Sequence, residues 1–369
     1  MTAERTTDAG PAGRRAAVSE AAGPAAAGYR WPAEWEPHAA TWLSWPHNAE
    51  TWPGDRLARV RLTFAAIARA LQAHERVCIN VADEAMEADA RRCLAAAGVD
   101  AERGISFLRN PSDDAWLRDC GPIFVVRERP GARERALLDF RFDAWGGKYP
   151  PWDRDDALPR RLAAALQLPR FESALVLEGG SIDGNGRGTA LVTESCLLHP
   201  NRGRGRTRET LERALAELLG VRCALWLGGG IEGDDTDGHV DDVARFVDAN
   251  TVVAAIEPDR ADRNHAPLAD NLRRLRGMRD AEGKPLSVVT LPMPPRLEAD
   301  GVRLPASYAN FYLANGVALV PTFGAASDAR ALAVLRELLP GRDVIGIECT
   351  DLVYGLGAIH CVTQQEPAA

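Results

Sequence analysis

The chain has 369 residues, of which 46% are hydrophobic and 26% are charged, a composition typical of globular proteins. The formal net charge of −8 argues against nucleic acid as the main partner and is compatible with a small cationic substrate. No run approaches the roughly 18 consecutive apolar residues of a membrane span. The length predicts either two folded domains or one large domain built from repeats.

Cysteine usage limits the chemistry further. Seven cysteines stand at positions 78, 93, 120, 196, 223, 349 and 361, and no two of them form a CxxC pair. An odd, scattered set favours neither a disulfide framework nor a cysteine zinc site. The pattern predicts a protein of the reducing cytoplasm.

The first segments differ sharply in composition. Residues 1–28 are rich in Ala, Gly and Pro and predict a disordered tail, followed by a single folded domain over 29–369. Residues 31–52 hold five of the nine tryptophans, interrupted by prolines that prevent a long helix. This stretch is either an aromatic loop that packs onto the core or the wall or lid of a pocket.

Downstream, the predicted elements recur in one order. Apolar spacing predicts helices over 55–75, 83–97, 206–219 and 327–339, a strand over 77–81, and hairpins over 123–140, 175–193, 239–255 and 309–320. Hairpin, helix and strand repeat about every 60 residues, which indicates pseudo-symmetric blades around an axis. Such an arrangement points corresponding strand ends at one central place.

The C-terminal run 351–365 carries a candidate nucleophile. A turn of small residues over 355–358 is followed by a predicted strand that begins at Cys361. A thiol beside a glycine turn suits a nucleophile, because the missing side chains leave room for a substrate. Neighbouring strand residues point to opposite faces, so we do not expect His360 to act as the base of Cys361. Alternatively, Cys361 is a small buried core residue.

Four other polar residues stand beside glycine turns. Asp119 precedes a Gly-Pro pair, Glu178 precedes two glycines, and His239 and Asp241 are two apart on a predicted strand, so that they share a face. Each alone has a structural alternative, as a turn cap, a loop carboxylate or a buried histidine. The acidic loop 232–242 could also hold a divalent cation, although it lacks the Glu at the twelfth position of an EF-hand.

Six runs of the chain resemble those of agmatine deiminases, which belong to the guanidine-modifying pentein superfamily. The runs are NPSDDAWLRDCGP (110–122), AWGGK (144–148), LEGGS (177–181), GHVD (238–241), LPASYANFY (304–312) and IHCVTQQ (359–365). The resemblance spans about residues 31–366. It implies an α/β fold, a five-bladed pseudo-symmetric α/β propeller of ββαβ modules, in agreement with the recurring order of elements.

The same resemblance implies a role for each candidate residue. Cys361 would be the nucleophile, His239 the general acid/base, Asp119 and Asp241 the guanidinium clamps, and Glu178 the carboxylate beside His239. Two carboxylates suit a planar, cationic guanidinium because each can accept paired N–H bonds from it. No metal or other cofactor is expected.

Other positions bear on the substrate. We expect Trp116 to line the methylene chain of the substrate, with Trp45 and Trp52 as further candidates. Two departures from the family pattern also stand out. Leu356 and Ala358 interrupt a turn that is usually richer in glycine, which could narrow the pocket, and Asp237 stands where many relatives carry another polar residue.

The implied reaction converts agmatine to N-carbamoylputrescine and ammonia through a covalent S-alkylthiouronium on the cysteine, as part of putrescine biosynthesis. The nearest alternatives are deimination of free arginine or of peptidyl-arginine. A different alternative is a non-enzymatic propeller that binds a cationic ligand. The resemblance also makes a homo-oligomer plausible, and neither a nucleic acid nor a membrane is expected as a partner.

Overall fold

The computed structural model of the protein describes residues 23–369. Most of the tail predicted over 1–28 therefore lies outside the described residues. Its last part, residues 23–28, forms a turn in which the Ala25 N–H donates to the carbonyl oxygen of Glu217 over 3.2 Å. Within 23–369, no helix combines the length and the apolar character that crossing a membrane requires.

The described chain contains eighteen strands. They are β1 His38–Ser44, β2 Arg76–Val81, β3 Ile105–Arg109, β4 Ile123–Arg129, β5 Ala132–Arg141, β6 Arg170–Val176, β7 Ile182–Gly184, β8 Thr189–Thr193, β9 Cys223–Leu227, β10 Ala244–Phe246, β11 Thr251–Ile256, β12 Ser287–Pro292, β13 Glu298–Ala299, β14 Val302–Arg303, β15 Tyr312–Ala314, β16 Val317–Thr322, β17 Asp343–Glu348 and β18 Gln364–Pro367.

Five sheets share one topology. In β4-β5-β6, β7-β8-β9, β10-β11-β12 and β15-β16-β17, an antiparallel pair is followed by a parallel third strand. In the fifth sheet, β18-β1-β2-β3, the last strand of the chain pairs antiparallel with the first and so completes the same pattern. The predicted five-bladed α/β propeller of ββαβ modules is confirmed.

A helix joins the second and third strands of every blade. These crossover helices are Arg56–Gln72, Leu158–Leu166, Arg208–Leu219, His265–Gly277 and Ala326–Leu338. The remaining helices are Glu84–Ala96 between β2 and β3, and the short Leu117–Cys120, Ala144–Gly147, Asp153–Asp156, Glu194–Leu197 and Ile359–Val362. The parallel third strand of each blade requires such a crossover, because a tight hairpin can join only antiparallel strands.

Apolar spacing explains how these helices attach to the sheets. In Arg56–Gln72, Val60, Phe64, Ile67 and Leu71 recur at intervals of three and four residues and are all fully buried. Such a stripe faces the core while the polar remainder stays in water. The core therefore lies between the blades and their outer helices.

The predicted hairpin over 175–193 is wrong in its first strand. Leu175 and Val176 end β6, the third strand of the preceding blade, and the hairpin itself begins at Ile182 in β7. The apolar run continues across both strands, so periodicity did not reveal the break. A single 3₁₀ turn, Gly179–Ser181, separates the two strands, and it places Glu178 at the passage from one blade to the next.

Candidate active site

Cys361 lies in the short helix Ile359–Val362, so the predicted strand start at this residue is wrong, and β18 begins only at Gln364. The turn before it is tightly packed, since a Cβ on Gly357 would lie 2.5 Å from the Trp116 ring and 3.0 Å from Cβ of Cys361. A side chain at position 357 would therefore displace the indole or the nucleophile. The small residue is required by this close approach.

Asn310 fixes the sulfur and the backbone beside it. Its Nδ2 lies 3.2 Å from Sγ of Cys361, and its Oδ1 accepts the N–H of His360 over 2.9 Å. Asn310 is fully buried. One amide thus orients both the thiol and the start of the helix that carries it.

Three predicted site residues converge on Gly180. A Cβ there would lie 2.6 Å from Nδ1 of His239, 2.8 Å from Oδ1 of Asp119 and 3.0 Å from Oδ2 of Asp241. The Gly180 N–H donates to Oδ1 of Asp119 over 2.9 Å, and Nδ1 of His239 lies 3.7 Å from the same oxygen. Only a bare backbone allows these side chains to approach each other so closely.

His239 and Asp241 are not on a strand, as had been predicted, but at a single 3₁₀ turn, Val240–Asp242, which His239 precedes. Just before this turn, the Asp234 carboxylate accepts the His239 N–H over 3.0 Å, and β10 begins only at Ala244. The two side chains still lie close together beside Gly180, as predicted, although the strand on which they were expected to share a face does not form.

Glu178 lies on the other side of the imidazole. Its Oε1 accepts from Nε of Arg202 over 2.8 Å, and its Oε2 lies 4.0 Å from Nε2 of His239. Both Oε2 of Glu178 and Nε2 of His239 are buried without a hydrogen-bond partner within residues 23–369. Buried polar atoms in this state are costly and typical of sites that act on a ligand.

The electrostatics of the site follow from burial of several acids together. Burial, and then the charges of Asp241 and Glu178, raise the pKa of Asp119 to about 6 although His239 opposes them. Burial alone would lower the pKa of His239, but Asp119, Cys196 and Asp241 raise it well above its ordinary value. His239 is therefore an imidazolium at neutral pH.

The thiol of Cys361, the predicted nucleophile, is held in its neutral form. Burial, followed by the charges of Asp241, Asp242 and Asp119, raises the pKa of the Cys361 thiol well above its ordinary value. Sγ lies 3.9 Å from Oδ2 of Asp241. A positive charge bound between these carboxylates would remove the repulsion that keeps the thiol protonated.

A cavity of about 900 Å³ leads from the surface to Asp119 and Cys361. Trp116, Trp145 and Trp152 contribute aromatic wall. The titratable side chains that line it are the acids Glu50, Asp113, Asp114, Asp119, Asp155, Asp235 and Asp300, together with His47, Lys148 and Tyr149, Tyr354 and Cys361. The cavity thus combines an apolar wall with a strong excess of acids over bases.

The predicted aromatic contacts are only partly found. Trp116 lines the cavity, whereas Trp45 and Trp52 do not, because both are fully buried in the core. Trp52 supports the wall from behind, with its ring centroid 5.3 Å from that of Trp116. The tryptophan-rich segment therefore packs onto the core and also reaches the pocket, since His47 and Thr51 line the cavity.

Sequence reasoning missed several residues of the site. Trp145 donates its indole N–H to Oδ2 of Asp119 over 3.0 Å, and Arg202 and Asn310 bind Glu178 and Cys361 as described above. Trp145 and Asn310 fall within two of the runs that resemble the family, so the signal was available there. Arg202 had none, because its contact with Glu178 depends on the fold.

Two groups of side chains in or near the site contain residue types that bind metal ions. Glu178, Cys196 and His239 offer ligand atoms within 4.8 Å of one another, but Arg202 already binds Glu178. In the acidic loop 232–242, protein donors engage the carboxylates: Asp234 accepts from Thr236 and His239, Asp235 from Tyr149, and Asp237 from Asn201, Lys148 and Arg202. These bonds shape the loop.

Comparison with known proteins agrees with the geometry. The family model of Porphyromonas-type peptidyl-arginine deiminases matches residues 30–367. The agmatine deiminase of Stutzerimonas stutzeri is 38% identical, with 92% of this chain and 96% of that protein covered, and that of Medicago truncatula is 36% identical, with 92% and 97% covered. The structure of agmatine deiminase from Enterococcus faecalis superposes with a TM-score of 0.86 at 32% identity, covering 94% of this chain and 98% of the other. The chain therefore belongs to the Porphyromonas-type peptidyl-arginine deiminase family, among the agmatine deiminases of the pentein superfamily.

Proposed function

We propose that this protein hydrolyses agmatine to N-carbamoylputrescine and ammonia. The observation that carries the proposal is the meeting of a buried thiol, an imidazolium and two clamp carboxylates beside one acidic cavity, which Cys361 and Asp119 line. The four residues come from three blades, since His239 and Asp241 belong to the same 3₁₀ turn. Sγ of Cys361 lies 3.9 Å from Asp241, which in turn adjoins His239 and Asp119 around Gly180.

In this proposal the substrate prepares its own nucleophile. Asp119 and Asp241 accept N–H bonds from the guanidinium and hold its plane, and the bound positive charge favours ionisation of the Cys361 thiol. The thiolate attacks the central carbon, and a C–S bond forms in a tetrahedral adduct. His239 gives its proton to the departing nitrogen, the C–N bond breaks, and ammonia leaves.

An S-alkylthiouronium then remains on Cys361. His239, now neutral, takes a proton from a water molecule as the oxygen attacks the same carbon. The C–S bond breaks, the electron pair and the hydroxyl proton of the adduct go to sulfur and restore the thiol, and the ureido product leaves. The proton that was released when the thiol ionised is taken up by the free ammonia. Glu178 stabilises the imidazolium each time it forms. No redox change occurs, and the carbon exchanges one nitrogen for one oxygen.

The charges of the cavity support agmatine over arginine. Agmatine ends in an ammonium group, whereas arginine brings an α-carboxylate that needs a positive partner. Among the described residues, Lys148 is the one lysine or arginine that lines the cavity. Its Nζ donates a hydrogen bond to Asp237 over 2.9 Å. Among acidic neighbours, a carboxylate tail would be repelled and an ammonium tail attracted.

Ammonia release tests the proposal. The purified protein is assayed with agmatine, arginine and a peptidyl-arginine model in the presence of a chelator. The variant Cys361→Ala and the control variant Cys93→Ala, at a half-buried cysteine, are assayed in the same way. We expect release from agmatine by the parent and by Cys93→Ala, and none by Cys361→Ala. A stronger rate with arginine or the peptide would overturn the substrate assignment, and stoichiometric binding without ammonia would favour a binding protein.

The proposal extends to the setting of the enzyme. The reaction would serve putrescine biosynthesis in the cytoplasm, which the seven free cysteines support because secreted proteins commonly pair them. A homo-oligomer is part of the proposal and rests on the family resemblance. Light scattering after gel filtration would test it, and a monomer at micromolar concentration would contradict it.

A further inference from the structure

His360, the neighbour of the nucleophile, joins two buried carboxylates. Its Nδ1 lies 2.6 Å from Oδ2 of Asp241, and its Nε2 lies 2.8 Å from Oε2 of Glu34. All three side chains are nearly inaccessible to solvent. Glu34 comes from the tryptophan-rich segment near the start of the described chain, so His360 connects that segment with the substrate clamp.

The residues around Glu34 keep its carboxylate ionised. Glu34 also accepts the Leu313 N–H over 2.8 Å and lies 2.9 Å from a guanidinium nitrogen of Arg245 and 3.5 Å from one of Arg118. Burial would raise the pKa of Glu34, but Arg245, His360 and Arg118 hold it well below its usual range.

Asp241 is ionised as well. Burial would raise its pKa, but the hydrogen bond and charge of His360, with His239 and Arg245, lower it. An ionised carboxylate can only accept hydrogen bonds. Both ring nitrogens of His360 thus face carboxylate oxygens, Nδ1 that of Asp241 and Nε2 that of Glu34.

We propose that His360, held in place by Glu34, is a positioning residue that keeps Asp241 ionised and leaves its second oxygen free for the guanidinium of the substrate. Oδ2 of Asp241 is occupied by His360, whereas Oδ1 is buried and has no hydrogen-bond partner within residues 23–369. A buried acceptor in this state is ready for a donor that the substrate brings.

Asp242, the next residue, shows how a buried carboxylate behaves when its partner is a neutral amide. Asp242 is as buried as Asp241, but Asn310, a neutral amide, donates to its carboxylate over 3.0 Å. Burial and the charges of Asp241 and Asp234 raise the pKa of Asp242 well above its ordinary range. Without His360, Asp241 would face the same burial and the same acidic neighbours, and it would take up a proton that weakens the clamp.

The inference rests on the proposed function for the identity of the ligand, and it predicts a specific pH signature. The charged and titratable groups around the pair His360 and Asp241 are Glu34, Arg118, Asp119, His239, Asp242, Arg245, Tyr312 and Cys361. Of the two clamps in the parent, only Asp119 titrates near pH 6. In His360→Gln the pKa of Asp241 should rise, because the hydrogen bond that lowers it is lost, so two protonations instead of one abolish binding on the acid side.

The test is the pH dependence of kcat/KM for agmatine between pH 5 and 9. For His360→Gln we expect an acid limb whose slope rises from about one towards two, so that each pH unit along it adds a further loss of about tenfold relative to the parent, and recovery at high pH. Glu34→Gln keeps the imidazole and should show a smaller shift in the same direction. The matched control is His265→Gln, at a half-buried histidine whose ring contacts the Glu257 carbonyl oxygen, and its profile should equal that of the parent.

Recovery at high pH separates charge from folding, because a misfolded variant would not regain activity. An unchanged slope and position of the acid limb in both His360→Gln and Glu34→Gln would overturn the inference. If His360→Gln is inactive at every pH, Glu34→Gln decides, and an unshifted profile in that variant overturns it.

A second readout does not need turnover. In protein labelled with [4-13C]aspartate, the carboxyl resonance that disappears in Asp241→Asn belongs to Asp241. Its titration should move to higher pH in His360→Gln, and an unmoved titration would refute the role. Failure of the parent to release ammonia from agmatine would overturn the proposed function alone, since the carboxyl titration remains measurable.

Discussion

The indole N–H of Trp145 donates to Oδ2 of Asp119 over 3.0 Å, and the Gly180 N–H satisfies the other oxygen of the same carboxylate. Trp145 reaches this position from an unusual backbone, because Ala144, Trp145 and the two following glycines all have positive φ, between 53° and 89°. A non-glycine residue in this region costs roughly 1–2 kcal/mol. The fold therefore accepts strain to orient one clamp.

Trp145→Phe should lower kcat/KM for agmatine by about ten- to a hundredfold, the value of a hydrogen bond to a charged group. Phe keeps an aromatic ring but lacks the N–H and part of the indole volume, and the control variant below shares the loss of volume. The matched control is Trp226→Phe, which removes an indole N–H bound to Glu212 over 2.8 Å outside the site. Equal kinetics in the two variants would contradict the role of Trp145.

The pKa of Asp119 predicts an acid limb. Since this carboxylate must be ionised to hold a guanidinium and its pKa is raised to about 6, kcat/KM should fall about tenfold for each pH unit below that value. The profile of the parent between pH 4.5 and 8 measures it. A flat profile down to pH 5 would show that Asp119 does not control binding.

The same shift predicts an effect on stability. A carboxylate whose pKa is raised in the folded state destabilises the fold above that pKa, and the effect disappears below the ordinary value of 3.8. Asp119→Asn removes this charge but leaves one of the two N–H donors, Trp145 or Gly180, without an acceptor. The change in the free energy of unfolding relative to the parent should therefore be about 3 kcal/mol more favourable at pH 7 than at pH 3, while turnover is abolished. Urea unfolding at both pH values measures this difference, and a change that is the same at both pH values would refute it.

Asp237, noted in the sequence as a departure from the family, joins the mouth of the cavity to Glu178. It accepts hydrogen bonds from Asn201 and Lys148 and pairs with Arg202, which also binds Glu178. Burial would raise its pKa, but Asn201, Lys148 and Arg202 lower it.

Asp237→Asn should therefore lower the free energy of unfolding by about 1–2 kcal/mol at pH 7. Asn tolerates the left-handed backbone of this position (φ 69°) as well as Asp does, so the change isolates the charge. A lowered carboxyl pKa contributes stability above 3.8 that is lost as the pH falls through the folded value. The difference should persist at pH 5 and shrink as the pH falls below 3.8, and a difference that is independent of pH would point to packing instead.

Leu356 stands in the turn before the nucleophile with φ 71°, and its side chain lines the cavity. Leu356→Gly removes strain of roughly 1–2 kcal/mol and adds a backbone entropy cost of about 0.5–1 kcal/mol, so these two effects together should raise the free energy of unfolding by no more than about 1.5 kcal/mol. The wider cavity should reduce the preference for agmatine over a peptidyl-arginine model. Leu356→Ala widens the cavity but keeps the strain, so it should be the less stable of the two variants. Unchanged selectivity in both would show that Leu356 does not restrict the substrate.

Local patterns predicted much of this molecule because its blades are regular. The helix Arg56–Gln72 and the strand Arg76–Val81 lie within three residues of their predicted bounds, as expected where apolar periodicity determines burial. Predictions were wrong where glycine turns interrupt an apolar run. Val176 ends one blade shortly before the next begins at Ile182, and Cys361 lies in a four-residue helix. Such short turns depend on capping contacts and not on periodicity.

The supports of the site were harder to predict than the reacting groups. Glu34 meets His360 across 326 positions of sequence, and Asn310 meets Cys361 across 51. No local pattern announces a contact between such distant positions, because it exists only once the blades have assembled. His360 and Cys361 were expected to point to opposite faces of a strand, but both lie in the helix Ile359–Val362. The contacts of His360 with Asp241 and Glu34 account for the position of its side chain.

The neutral state of the Cys361 thiol also determines how the protein meets oxidants. Peroxides react with thiolates far faster than with thiols, and burial among carboxylates keeps this sulfur protonated when the cavity holds no cation. The resting protein should therefore survive storage without reductant. The sulfur becomes open to oxidation chiefly while a guanidinium occupies the cavity, so an unreactive guanidine would hasten damage instead of preventing it.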